Sequence, residues 1–101
     1  MKKEDISATL REVISRSPVR SHVRRVSLFG SHLHGTAKSD SDIDLLIEFS
    51  EPITMFELVR MERDMSKEFG KHVDLSTPKS LSRYFRQQVV REAEPLFEAA
   101  A

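Results

Sequence analysis

Asp42 and Asp44 open a run, Asp-Ile-Asp-Leu-Leu-Ile-Glu-Phe, whose two-residue rhythm is that of a β-strand. Successive side chains of a strand point to opposite faces. Ile43, Leu45, Ile47 and Phe49 therefore share one face, and Asp42, Asp44, Leu46 and Glu48 share the other. The two aspartates stand side by side and point the same way. Carboxylates held so close repel one another unless something positive lies between them. Magnesium suits such a pair: it takes a few hard carboxylate oxygens, keeps waters, and accepts phosphate oxygens as its remaining ligands.

Ten residues upstream of the pair stands Gly30-Ser31, directly after the apolar run Val26, Leu28 and Phe29. Glycine allows a backbone to approach a ligand closely. Ser31 is expected where a strand turns into a short helix, whose free N–H groups and positive dipole end favour anions. Carboxylates for a metal opposite a cradle for phosphate describe a site for a nucleoside triphosphate. Taken alone, Gly30-Ser31 would be an ordinary strand-to-helix turn with a serine cap, and Asp-x-Asp would be the polar start of a strand. Their combination at this spacing carries the reading.

Gly-Ser, ten residues, Asp-x-Asp resembles the signature of the DNA polymerase β-like nucleotidyltransferase superfamily. The short chain and the tail His72-Val73-Asp74-Leu75-Ser76-Thr77-Pro78 resemble its minimal nucleotidyltransferase branch, over residues 26–97 or so. The resemblance implies a small palm of the α/β (α+β) class, with a mixed sheet of about three strands and flanking helices. Asp42, Asp44 and Asp74 are the candidate catalytic and metal-binding residues, provided that the strand bearing Asp74 neighbours the strand bearing the pair. Three carboxylates suit two magnesium ions, one held by all three and one by the first two with triphosphate oxygens. Gly30, Ser31 and His34 are the candidate nucleotide-binding residues, with ATP as the donor of AMP. His32 and His34 depart from the pattern, since many minimal nucleotidyltransferases carry basic residues, often arginine, at these positions. Histidine is largely neutral at pH 7 unless a phosphate raises its pKa, so triphosphate affinity is expected to be weaker or pH-dependent.

Other chemistry is poorly supported. A Ser31-His32-Asp hydrolase triad lacks the Gly-x-Ser-x-Gly elbow, and a His32-x-His34 zinc site lacks further soft ligands. Zero cysteines exclude a disulfide framework and a thiol nucleophile. Net charge is zero. Positive charge gathers before Gly30, while residues 40–57 hold six acidic residues and no lysine or arginine, a poor surface for nucleic acid without bound metal. No stretch approaches membrane-spanning length, which implies a cytoplasmic protein.

The 101 residues read as a single domain. Residues 4–16 are expected to form a helix presenting Ile6, Leu10, Val13 and Ile14, stopped by Pro18. Residues 24–29 and 71–76 are expected strands. Thr54 with Glu57 forms a capping box opening a helix with a buried stripe of Met55, Phe56, Leu58, Val59, Met61, Met65 and Phe69, ended by Gly70. Thr77-Pro78 begins a last helix, with Leu81, Tyr84, Phe85 and Val89 buried and fraying after Glu94-Pro95. Two helices and a strand use the chain after the metal motif, so the acceptor is expected on a partner or another subunit. Proteins of this kind resemble the antitoxin half of HEPN/MNT pairs, which implies a HEPN-type ribonuclease toxin as partner, in a hetero-oligomer, with AMP placed on its tyrosine. The competing reading is a palm-fold antitoxin that neutralises its partner by occlusion, without catalysis.

Overall fold

The computed structural model describes residues 2–99. Helix α1 spans Lys3–Ser15 and ends before Pro18. Strand β1 covers Val23–Phe29, and the one-turn helix α2 covers Ser31–His34. Strand β2 is Ile43–Phe49, α3 is Met55–Phe69 and β3 is Val73–Ser76. A turn of 3₁₀ helix at Pro78–Ser80 precedes α4, Arg86–Glu92, and the strand β4, Glu94–Glu98. Among the described residues no helix is long and apolar enough to cross a membrane.

The sheet order is β3-β2-β1-β4. β1 runs antiparallel to both β2 and β4, whereas β2 and β3 are parallel. Parallel neighbours need a crossover connection, and α3 supplies it. Its start is the expected capping box: Thr54 N–H donates to Glu57 Oε1 at 2.8 Å, and Glu57 N–H donates to Thr54 Oγ1 at 3.1 Å.

One face of the sheet is the core. Val26 and Leu28, Ile43, Leu45 and Ile47, and Val73 and Leu75 pack with Ile6, Leu10, Val13 and Ile14 of α1 and with Met61 and Met65 of α3. Each such side chain, fully buried, contributes about 1.5–3 kcal/mol. The opposite face carries Arg25, Ser27 and Phe29 in register with Glu48, Leu46 and Asp44. Only its middle is covered: Leu46 and Ser27 are buried, and the Pro78–Ser80 turn lies against β2. The β3 end of the sheet is tied to α3 by side chains. Val73 N–H donates to Ser66 Oγ at 2.9 Å, and Leu75 N–H to Glu62 Oε2 at 2.9 Å.

Three expectations need correction. The sheet has four strands, because the segment read as fraying after Glu94-Pro95 pairs with β1. A proline lacks a ladder donor and is confined to edge strands, and β4 is an edge. The last helix is not continuous: Leu81 is extended (φ −75°, ψ 148°) and α4 begins only at Arg86. Tyr84 and Phe85, expected inside, are exposed, Tyr84 by 85%. On α3, Met55 and Phe56 are exposed by 70% and 88% and Val59 is also exposed, so the buried stripe is Met61 and Met65 with Leu58 and Phe69 at its margin.

Candidate active site

The parallel pairing of β2 and β3 sets Ile43 beside Val73 and Asp44 beside Asp74. Because the first pair is buried in the core, the second must face the other way. Asp42, just before β2, lies on the same side as Asp44 and is exposed. The expectation that the strand bearing Asp74 neighbours the pair is met.

Asp44 is half-buried, and its carboxyl pKa is raised. Burial is the largest cause, followed by the negative charges of Asp74 and then Asp42; His32 and His72 act in the opposite direction. Asp42 is turned toward His72, with Oδ2 3.2 Å from Nδ1. As the side chains stand, no three His, Asp or Glu residues among those described form a closed metal-binding group. The chemistry of the donor set nonetheless fits a hard divalent cation: three carboxylates, mutually repelling, on one exposed patch.

Gly30 forms the floor beside Asp44. Its backbone is at φ 76°, ψ −151°, a conformation that only glycine adopts without strain. A Cβ there would overlap Asp44 Oδ2 and stand 3.0 Å from its Cγ. The Gly30 carbonyl accepts from the N–H groups of Leu33 and His34 at 3.1 and 3.2 Å, which closes the single turn of α2. Ser31 follows directly and is half-buried. The two histidines of α2 diverge. His32 is near enough to Asp44 to act on its charge, and its Nε2 lies 3.4 Å from the Ser41 carbonyl oxygen. His34 is exposed, with Nε2 3.6 Å from Glu92 Oε2 of α4.

Three neighbours were not singled out from the sequence. His72 contacts Asp42, and its place directly before the strand of Asp74 is the signal available in the sequence. Glu62 and Ser66 hold β3, and therefore Asp74, through backbone N–H groups. Their spacing on α3 gives no hint of this without the pairing of α3 with β3.

Residues 6–96 match the family model described as a nucleotidyltransferase domain. Protein adenylyltransferase MntA of Thermococcus cleftensis is 36% identical over 73 residues, which is 72% of this chain and 74% of that protein. A solved structure provisionally described as a minimal nucleotidyltransferase superposes with a TM-score of 0.76 at 36% identity, covering 94% of this chain and 96% of its own. A chain in the structure of a tri-AMPylated Shewanella oneidensis HEPN toxin in complex with an MNT antitoxin shares the fold, with a TM-score of 0.70 at 18% identity, over 97% of this chain and 74% of that one. By the length of the family match, and with Asp44 seated on Gly30 beside Asp74, the chain belongs to the nucleotidyltransferase domain family.

Proposed function

We propose that this nucleotidyltransferase transfers AMP from ATP, with magnesium, to a tyrosine hydroxyl of a HEPN-type ribonuclease toxin, acting as the antitoxin of that pair. The observation that carries the reading is the Asp44 carboxylate packed on the Gly30 backbone with Asp74 on the adjoining strand. The name of the Thermococcus cleftensis relative, a protein adenylyltransferase, supports AMP and a protein acceptor. The shared fold with a chain from a toxin–antitoxin complex is consistent with the partner. The protein works as a single domain, in the cytoplasm, within a hetero-oligomer.

Asp42, Asp44 and Asp74 would hold two magnesium ions. Bound there, magnesium lowers the pKa of the acceptor hydroxyl and neutralises charge on the departing pyrophosphate. Gly30 lets the backbone approach the phosphates without a side chain in the way, and Ser31 offers its hydroxyl beside them. His34 stands at the rim, next to Glu92. Asp74 would take the acceptor's proton, a role that its exposure next to half-buried Asp44 supports. The acceptor oxygen bonds to the α-phosphorus, the bond from that phosphorus to the bridging oxygen breaks, and pyrophosphate leaves. Positioning and electrostatics supply most of the rate, as is general for phosphoryl transfer.

The test is the intact mass of the toxin encoded beside this protein, after incubation with ATP and magnesium. Whole AMP increments with the native chain, and none with Asp44→Asn, are expected. An unchanged toxin mass despite a stable complex would replace this reading with neutralisation by occlusion.

A further inference from the structure

Tyr84 is the one tyrosine of the chain, and the fold puts its side chain to little use. It is 85% exposed, whereas tyrosine is ordinarily part-buried, with its hydroxyl bonded where it is buried. Among the described residues its hydroxyl meets only Arg83, whose Nη2 lies 3.5 Å away and whose guanidinium carbon is 5.3 Å from the ring centroid. The turn that carries it is nonetheless well tied. The N–H groups of Phe85 and Arg86 donate to the Ser82 carbonyl at 3.2 and 2.9 Å, and Tyr84 N–H donates to Ser82 Oγ at 3.4 Å. Arg86 Nη2 clamps the same segment, donating to the Lys79 and Leu81 carbonyls at 3.2 and 3.0 Å. A phenol is thus held out on a fixed turn, which lowers the ordering cost of docking it elsewhere.

Charge indicates where it can dock. Residues 75–91 hold Lys79, Arg83, Arg86 and Arg91 and no acidic residue, with Phe85 and Val90 exposed among them. Residues 40–57 hold six acidic residues and no lysine or arginine, and two of the six, Asp42 and Asp44, share the accessible face of the sheet with Asp74. Both surfaces belong to one chain, so a second copy presents the complement of each. The exposed ring is not seated against the aspartates of its own chain, and its turn is pinned, which favours a second copy as its host. Resting on the nucleotidyltransfer reading above, we propose that the chain is itself a substrate: the Tyr84 hydroxyl of one copy accepts AMP in the active site of another. The phenolic oxygen bonds to the α-phosphorus, the bond from that phosphorus to the bridging oxygen breaks, and pyrophosphate leaves with the electron pair. The phenolic proton passes to Asp74 of the copy acting as enzyme. Attraction between the basic turn and the acidic face orients the encounter.

The test is the intact mass and peptide map of the purified chain after incubation with ATP and magnesium, without toxin. Whole AMP units on the peptide that contains Tyr84 are expected, and none in Tyr84→Phe, which should still modify the toxin at the native rate. A tagged Asp44→Asn chain should gain AMP when mixed with native chain and none alone. The fraction of native chain labelled in a fixed time should rise with protein concentration. AMP on any other residue, or an unlabelled chain beside a labelled toxin, would overturn the proposal while leaving the transfer reading in place. Labelling independent of concentration, with the tagged Asp44→Asn chain unlabelled in the mixture, would overturn transfer between copies. A native chain that labels neither itself nor the toxin would remove the underlying transfer reading as well.

Discussion

The backbone of Gly30 rests against the carboxylate of Asp44 so closely that a methyl group on its α-carbon would lie 3.1 Å from Asp44 Cβ and overlap Oδ2. Gly30→Ala must therefore both strain a positive-φ backbone and displace the Asp44 carboxylate. A stability loss of about 1–3 kcal/mol is expected, together with loss of AMP transfer. Thermal melting and the toxin mass assay check the two effects separately; an alanine variant with full transfer would refute the close approach.

Asp44 predicts a trade between stability and activity. Its raised pKa means that the folded state holds the carboxyl proton more tightly than the unfolded chain does. The stabilisation from the protonated form is fully present below the unfolded pKa and is lost as pH rises through the folded one. In metal-free protein at pH 7 the ionised group is thus a burden, and Asp44→Asn should melt higher than the native chain while transferring no AMP. The melting difference should shrink as pH falls below the ordinary carboxylate range. A variant that melts lower at pH 7 contradicts the sign.

Glu57 predicts the opposite slope. Its carboxyl pKa is lowered, first by the hydrogen bond from Thr54 N–H and then by the Thr54 side chain. Its contribution is present above the unfolded pKa and lost as pH falls through the folded one. Glu57→Gln should therefore flatten the acid limb of the stability curve. Thr54→Ala, which removes the other half of the capping box, should cost about 1 kcal/mol, or roughly 4–8 °C in melting temperature.

The two ends of the α3 apolar stripe should behave differently. Met65, fully buried, should cost about 2–5 kcal/mol on replacement by alanine. Phe56→Ser should change stability by no more than about 0.5 kcal/mol, since that ring already faces solvent. Comparable losses at both positions would contradict the orientation of the helix.

This contrast shows how the sequence misleads. Helical spacing over Met55, Phe56, Leu58, Val59, Met61, Met65 and Phe69 supplies more apolar residues than one face of α3 can bury. The spacing does not say which of them meet the sheet. Capping at Thr54, the stop at Gly70 and the burial of Ile43, Leu45 and Ile47 were legible, because each rests on local geometry or strict alternation. The fourth strand was not, because Pro95 argues against pairing until β4 is known to lie at an edge. Asp42, Asp44 and Asp74 were legible as candidates from strand alternation and the Gly30-Ser31 spacing. The contact of His72 with Asp42 depends on β2 and β3 being parallel neighbours, and that of Glu62 on α3 packing against β3, and no single segment encodes either.

Glu62 offers a last test. It receives the Leu75 N–H at 2.9 Å in a half-buried setting, and Glu62→Ala leaves that donor unpaired. A cost of about 1–3 kcal/mol is expected, with a fall in AMP transfer through the displaced Asp74 although Glu62 itself touches no reactant. Glu62→Gln, which keeps an acceptor oxygen, should restore most of both.

The register of β2 on β3 makes the core a proofreader of the surface. The same alternation that buries Ile43, Leu45, Val73 and Leu75 turns Asp44 and Asp74 outward as a pair. A slip of one residue would send every side chain of β3 to the opposite face, driving Asp74 into the oily layer and Val73 and Leu75 into water. Selection for an ordinary hydrophobic core is therefore enough to exclude the one-residue slip that would take Asp74 off the face it shares with Asp44.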